Sequence, residues 1–234
     1  MNPLRAALGR PLPPRVGVVA AELRRFPRPR YLEIGVDTGV LFLHVRAHRK
    51  VGVDPHGRVP RWKWFLHPNS LIRGSFFRTT SDSFFEALAP DAAFDVIFVD
   101  GDHSFAQSRR DVEHALEHLA EEGVVLVHDC NPPGPAAASP DSADSAGGPW
   151  CGDVWKTIVE LRATRPDLDV TVLDADFGVG VVRSGAGELL ALDPETVWSL
   201  TYGDLDRDRE RLLGLRAPTA REFGISRLSL GAAP

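Results

Sequence analysis

Between Arg30 and Val182, short β-rich runs alternate with helical stretches, and this alternation limits the chain to few architectures. Strand-like runs fall at Arg30–Ile34, Lys50–Val53, Ser70–Arg73, Asp95–Val99, Val124–Val127, Val170–Leu173 and Gly178–Val182. Helical apolar spacing occupies Val40–Ala47, Ser81–Ala89, Phe105–Glu121 and Asp153–Thr164, with Asp153 in the N-cap position of the last. Strands joined through helices run parallel, and a parallel sheet needs helices on both faces. Only Asp174–Phe177 separates the last two runs, too short a link for a parallel crossover, so these two pair antiparallel. The expectation is an α/β fold with a seven-stranded sheet.

A length of 234 residues suits one compact unit with short appendages. Residues 1–29 read as a lead-in rich in Pro, Arg and Ala, followed by a helix over Val16–Phe26 that Pro27 and Pro29 stop. Residues 30–184 form the main domain, and 185–234 a charged, helical C-terminal extension suited to a surface or an oligomer contact. Within the domain, residues 131–150 are low in complexity and have no periodic apolar face. They follow the fifth strand at the sheet edge where open α/β sheets bind ligands, so they form either a mobile lid or a solvated insertion.

Charge narrows the partners. The 27 Lys and Arg against 32 Asp and Glu give a net charge of −5, and no basic block marks a nucleic-acid surface. No apolar run approaches the roughly 18 residues of a membrane span. Two cysteines, Cys130 and Cys151, supply no disulfide or zinc pattern, and no leader-like sequence opens the chain, so a cytoplasmic protein is expected.

The first strand ends in Glu33-Ile-Gly-Val-Asp-Thr-Gly39, where Gly35 and Gly39 allow close approach of a ligand to the backbone. Asp54 closes the second strand 21 residues after Glu33, near the spacing of a carboxylate that binds a ribose diol. Asp37 stands where a dinucleotide fingerprint has its middle glycine, and its charge opposes a pyrophosphate. A nucleoside cofactor with a sulfonium and no phosphate suits that turn; an ordinary strand-to-helix turn is the alternative.

Asp100 and Asp129 end adjacent strands, and such a pair invites a divalent cation, with His128 a further ligand; carboxylates that merely cap helices are the alternative. His103, three residues past Asp100, has an ordinary pKa of about 6.5 and suits proton removal from a hydroxyl. Asp111 either orients His103 or pairs with Arg109 or Arg110. Trp150, Trp155 and Lys156 form a substrate wall by ring stacking, or else Trp155 packs in the core while Lys156 snorkels. Arg61–His67, aromatic and basic, is a cofactor wall, a substrate gate or a packing loop.

The ordered set Glu33-Ile-Gly-x-x-x-Gly39, Asp54, Phe94-Asp-Val-Ile-Phe-Val-Asp-Gly-Asp-His-Ser104 and Gly123-Val-Val-Leu-Val-His-Asp129 resembles the class I S-adenosylmethionine-dependent methyltransferases over roughly residues 31–183. The Asp-Gly-Asp-His-Ser element and the His-Asp pair are similar to a small-molecule O-methyltransferase branch that includes macrolide sugar methyltransferases and relatives of cephalosporin hydroxylase. The resemblance implies a Rossmann-like sheet of order 3-2-1-4-5-7-6 with strand 7 antiparallel. It implies S-adenosylmethionine at Glu33, Gly35, Asp37, Gly39, Asp54 and Asp100, with Ser81 and Asp82 at the adenine edge. It also implies a hydroxyl acceptor such as a sugar or polyphenol of a biosynthetic pathway, Mg²⁺ or Mn²⁺ assistance, and His103 as base beside Asp100. The fifth-strand sequence His128-Asp129-Cys130-Asn131 departs from the Glu-Asp or Asp-Asn pairs of such relatives. A metal-independent O- or N-methyltransferase, a hydroxylase-like enzyme and a non-catalytic partner subunit that binds the cofactor for stability remain the alternatives.

Overall fold

A computed structural model describes residues 11–223; residues 1–10 of the lead-in and 224–234 of the tail lie outside the described residues. Helix α1 (Pro14–Leu23) begins with proline in its first turn, where the missing N–H costs no hydrogen bond. Then follow β1 (Arg30–Ile34), α2 (Val40–His44), β2 (Arg49–Val53), α3 (Arg61–Leu66), α4 (Pro68–Arg73), β3 (Gly74–Phe77) and α5 (Ser81–Ala87). The second half carries β4 (Phe94–Val99), α6 (Phe105–Glu117), β5 (Leu119–Val127), α7 (Trp155–Thr164), β6 (Leu168–Leu173) and β7 (Val179–Ser184). Two short helices, α8 (Tyr202–Arg207) and α9 (Arg209–Leu213), lead into β8 (Leu215–Arg216).

The sheet order is β3-β2-β1-β4-β5-β7-β6-β8. Strands β1 to β5 pair parallel, and β7 lies antiparallel between β5 and β6. This is the expected Rossmann-like order, with one addition: β8, from the C-terminal segment, pairs parallel with β6.

Alternation along the strands sorts the core into two layers. Leu32, Ile34, Val51, Val53, Ile97 and Val99 face one layer with Phe105, Trp155 and Ile158, while Tyr31, Val96, Phe98 and Leu126 face the other with Val19, Phe42 and Leu41.

Strand β3 differs from expectation. Ser70–Arg73 is helical, and the strand begins at Gly74. Pro68 starts the turn, and Ser70 fixes it: its buried hydroxyl donates to the Leu43 carbonyl and accepts from Lys50 Nζ at 2.7 Å. Lys50, itself fully buried, also donates to the carbonyls of Phe42 and Val45. Helix α6 stops at Glu117, ahead of the expected Glu121, because β5 takes up the chain from Leu119. Asp153 does not cap its own helix, whose N-cap is Val154. Its carboxylate instead accepts the Phe105 N–H at 2.6 Å, so the start of α7 caps the start of α6.

Asp153→Ala removes that acceptor and should cost about 1 kcal/mol, the ordinary worth of a helix cap. Urea denaturation reads this as a lower midpoint at unchanged slope, and an unchanged midpoint would show that the bond contributes nothing.

Candidate functional site

The carboxyl ends of β1, β2, β4 and β5 open into a cavity of about 960 Å³. Gly35 makes the junction possible: its φ is +82°, and a Cβ there would lie 1.8 Å from the Asp100 carbonyl oxygen. Only glycine permits that approach of the β1 turn to the end of β4. Asp54 holds the same turn from β2. Its Oδ2 accepts from the N–H groups of Val36 (3.0 Å) and Asp37 (2.7 Å), and its Oδ1 from His56 N–H (2.7 Å).

Of the residues expected at the cofactor, Glu33, Gly35, Asp37, Asp54, Ser81, Asp82 and Asp100 line the cavity. Gly39 does not. It is the N-cap of α2 at φ +77°, packed so closely on Val59 that a Cβ would meet it at 2.8 Å, and it serves the turn rather than the cavity. Asp37 is exposed and paired with Arg58 at 2.6 Å. Glu33 is 2% exposed and accepts the Tyr31 hydroxyl at 2.6 Å, and burial pushes its carboxyl up to about 8.

Asp100, His103 and Asp129 converge at one side of the cavity, each offering a ligand atom within 4.8 Å of the others. His103 Nε2 lies 3.2 Å from Asp129 Oδ2 and 3.7 Å from Asp100 Oδ1. Its Nδ1 lies 2.9 Å from the Trp150 carbonyl. A carbonyl only accepts, so Nδ1 carries hydrogen and Nε2 is the basic nitrogen turned to the carboxylates. Donor separations near 3 Å are the edges of a coordination shell with bonds of about 2.1 Å, so two carboxylates and one imidazole fit a divalent cation such as Mn²⁺ or Mg²⁺.

His128 is placed differently from its expected part as a ligand. It is buried, with Nδ1 3.2 Å from both Asp100 Oδ1 and Asp129 Oδ2, so it meets the carboxylates as a hydrogen-bond donor. Its Nε2 finds no hydrogen bond among the described residues; the nearest carboxylate, Asp176, lies at 3.8 Å. Burial lowers the basicity of both imidazoles, but the carboxylates outweigh it, raising His103 and raising His128 well above the ordinary value. Burial works against the Asp100 carboxylate, yet the His128 charge and the His103 hydrogen bond hold its pKa far below the usual range. Asp129 has φ +60°, an uncommon backbone for aspartate that turns its carboxylate into the cluster.

The expected substrate wall divides. Trp150 lines the cavity, its ring centroid 4.8 Å from that of His103. Trp155 is 1% exposed in the core under α7, and Lys156 donates to the Trp198 carbonyl at 3.0 Å, so neither reaches the cavity. The first turn of α7 is buried all round, Trp155, Lys156, Thr157 and Ile158 alike. Residues 131–150 are tied back: Cys151 and Gly152 N–H donate to the Ala137 carbonyl, and Trp150 Nε1 to the Ser139 carbonyl. Gly152, at φ +61°, lets this segment close to the His103 carbonyl, which an added Cβ would meet at 1.9 Å. Arg61–Leu66 is a helix outside the cavity lining. Cys130 and Cys151 are buried free thiols that burial keeps protonated.

Three lining residues were not foreseen in their roles. Asp111 was expected to orient His103 or pair with an arginine, but Arg109 binds Glu113 and Glu160, and Arg110 lies against Asp82. Asp111 accepts from Gln107 through Oδ1 at 2.9 Å, while its buried Oδ2 has no partner among the described residues. Arg15 reaches the cavity from α1, held by Asp176 at 2.8 Å, and Phe177 joins it from the β6–β7 turn. Only the short Asp174–Phe177 link hinted at the last; nothing in α1 pointed to Arg15.

Residues 32–130 match the family model for a methyltransferase domain. That match covers 99 of the 234 residues. No curated protein sequence matches the chain. Among solved structures, a Klebsiella pneumoniae protein described as a candidate O-methyltransferase superposes with a TM-score of 0.58 at 18% identity, covering 78% of this chain and 86% of that one. The O-methyltransferase from Bacillus cereus, in complex with S-adenosylhomocysteine, gives 0.55 at 16%, covering 78% and 88%. The O-methyltransferase TomG from Streptomyces achromogenes, involved in tomaymycin synthesis and solved with S-adenosylmethionine, gives 0.53 at 16%, covering 74% and 80%. At these identities the likeness is one of fold. The solved structures share this fold, and residues 32–130 are similar to a methyltransferase domain.

Glu33 gives the fold a pH signature. Its folded pKa of about 8 exceeds the ordinary 4.5, so the folded state holds a proton that the unfolded state has lost between those values. Its contribution to stability is complete below pH 4.5 and falls as pH rises toward 8. Glu33→Gln should flatten that part of the stability profile in chemical denaturation; an unaltered profile would contradict the assignment.

Proposed function

We propose that the chain transfers the methyl group of S-adenosylmethionine to a hydroxyl of a small molecule, such as a sugar or polyphenol of a biosynthetic pathway, with a divalent cation held by Asp100, His103 and Asp129. The observation that carries this reading is the convergence of those three side chains beside the Gly35 turn. A cation bound there would supply Lewis acidity, lowering the pKa of an acceptor hydroxyl.

The chain's own residues do the positioning. Asp54 braces the turn that the nucleoside lies against and has one acceptor position left for a ribose hydroxyl. Asp111 Oδ2, near Ser81 and Gln107, accepts from the exocyclic amine of adenine. Glu33, whose ionised form the positive charge of the ammonium would favour, receives the methionine end of the cofactor. The Trp150 ring flanks the acceptor. The acceptor hydroxyl would give up its proton to solvent water as its oxygen attacks the methyl carbon in line, and the carbon–sulfur bond would break with its electron pair left on sulfur as the neutral thioether.

A second reading uses His103 as the base without a cation. The Trp150 carbonyl favours it by fixing the tautomer with Nε2 free to take the hydroxyl proton, leaving an imidazolium beside Asp129.

Calorimetry separates the two. Chelator-treated protein should bind S-adenosylmethionine, and added Mn²⁺ should give stoichiometric heat that Asp100→Asn abolishes; no metal heat in the wild type supports the second reading, and no cofactor heat under any condition overturns both. With the cofactor product as ligand, the adenosyl form should bind at least about tenfold more tightly than the inosyl form, which lacks the amine, and Asp111→Ala should erase that preference. An equal preference in the variant would remove Asp111 from the adenine site.

A further inference from the structure

Charge is distributed unevenly along the chain. From Thr38 to Ser81 there are eight Lys and Arg and a single acid, Asp54, a local charge of +7 in a chain of −5. The remainder therefore carries −12. Such asymmetry marks contact with a polyanionic surface.

The same segment exposes apolar bulk. Helices α3 and α4 are fastened by their inner faces: Trp64 packs edge-on against Phe42 at 5.7 Å, Lys63 reaches the Thr38 carbonyl, and Asn69 and Ser70 bond to α2 and the turn after it. Their outer faces follow helical spacing, 62, 65 and 66 on α3, and 68, 71 and 72 on α4. Those positions leave Trp62 53%, Phe65 71%, Leu66 55%, Leu71 47% and Ile72 73% exposed. Arg46, Arg61 and Arg73 are exposed beside them and meet no carboxylate among the described residues. A small cavity of about 370 Å³ opens where the helices meet α2, lined by His44, Arg46, Leu66, His67, Pro68 and Asn69.

We propose that this face docks on an anionic lipid bilayer, with Trp62, Phe65, Leu66, Leu71 and Ile72 entering the interface and Arg46, Arg61 and Arg73 at headgroup level. Aromatic and aliphatic side chains flanked by cations are the chemistry of interfacial helices, and no spanning helix is needed. Among the described residues no helix is long and apolar enough to cross a membrane. Two other occupants fit less well. A second copy docked through the same face would set the three arginines against the same three of its partner. A nucleic acid would engage the cations but leave five apolar side chains without a role.

Co-sedimentation of the full chain tests this, using vesicles of phosphatidylcholine alone and of phosphatidylcholine with phosphatidylglycerol. The chain should pellet with the anionic vesicles only, and added salt should release it. The triple change Arg46→Gln, Arg61→Gln, Arg73→Gln should weaken partition about 100-fold, from roughly fivefold per cation. Phe65→Ser with Ile72→Ser should abolish it. Both variants should keep the wild-type circular dichroism melt, which shows that folding is intact. Absence from the anionic pellet, equal binding to neutral vesicles, or retention by the serine variant with displacement by an oligonucleotide would each overturn the proposal.

Discussion

Two carboxylates at the ends of adjacent parallel strands, one buried and the other mostly so, set the terms for the rest of the site. Asp100 and Asp129 lie where β4 and β5 stop, and neither can remain ionised away from water without compensation. Compensation comes from two imidazoles on different sides: His128 from the buried side at 3.2 Å, His103 from the cavity side at 3.2 and 3.7 Å. The network continues outward through Asp176, whose carboxyl drops to about 2 against burial under the pull of His128 and Arg15. Helix α1 and the β6–β7 turn are thereby tied to the same charges as the strand ends.

The side of the cavity formed by the ends of β1 and β2 rests on a different device. Three backbone N–H groups converge on Asp54, and Gly35 clears the path to Asp100. The turn is fixed before any ligand arrives, so binding need not order it, which is the advantage of a preorganised site. Asp111 adds a buried carboxylate oxygen that finds no hydrogen-bond donor among the described residues, a costly arrangement unless a donor comes from outside.

The sheet order was legible because strand alternation and the four-residue Asp174–Phe177 link follow from local geometry. The third strand was misplaced because Ser70–Arg73 and Gly74–Phe77 are both short apolar runs; the deciding contact, Lys50 to Ser70, spans 20 residues and has no periodicity. Asp153 reads as a cap from its position before a helix, but the helix it caps lies 48 residues earlier. For Trp155 and Lys156 a substrate wall and core packing were both open, because composition does not say which way a helix faces, and Trp155 took the core alternative. Along the carboxylate edge the reading was better, since strand ends fix where Asp100 and Asp129 stand. The exchange of parts between His103 and His128 was not legible, because ring orientation depends on Trp150, brought 47 residues along the chain by a segment with no regular pattern.

The central claim is that Asp100, His103 and Asp129 form one cation site with Nε2 of His103 as the nitrogen donor. Crystals soaked in Mn²⁺ and measured at the manganese absorption edge test it directly. The account predicts one anomalous peak about 2.1 Å from His103 Nε2 and from an oxygen of each carboxylate. No peak there, or a manganese bound by His128 with the His103 ring turned away, would contradict it.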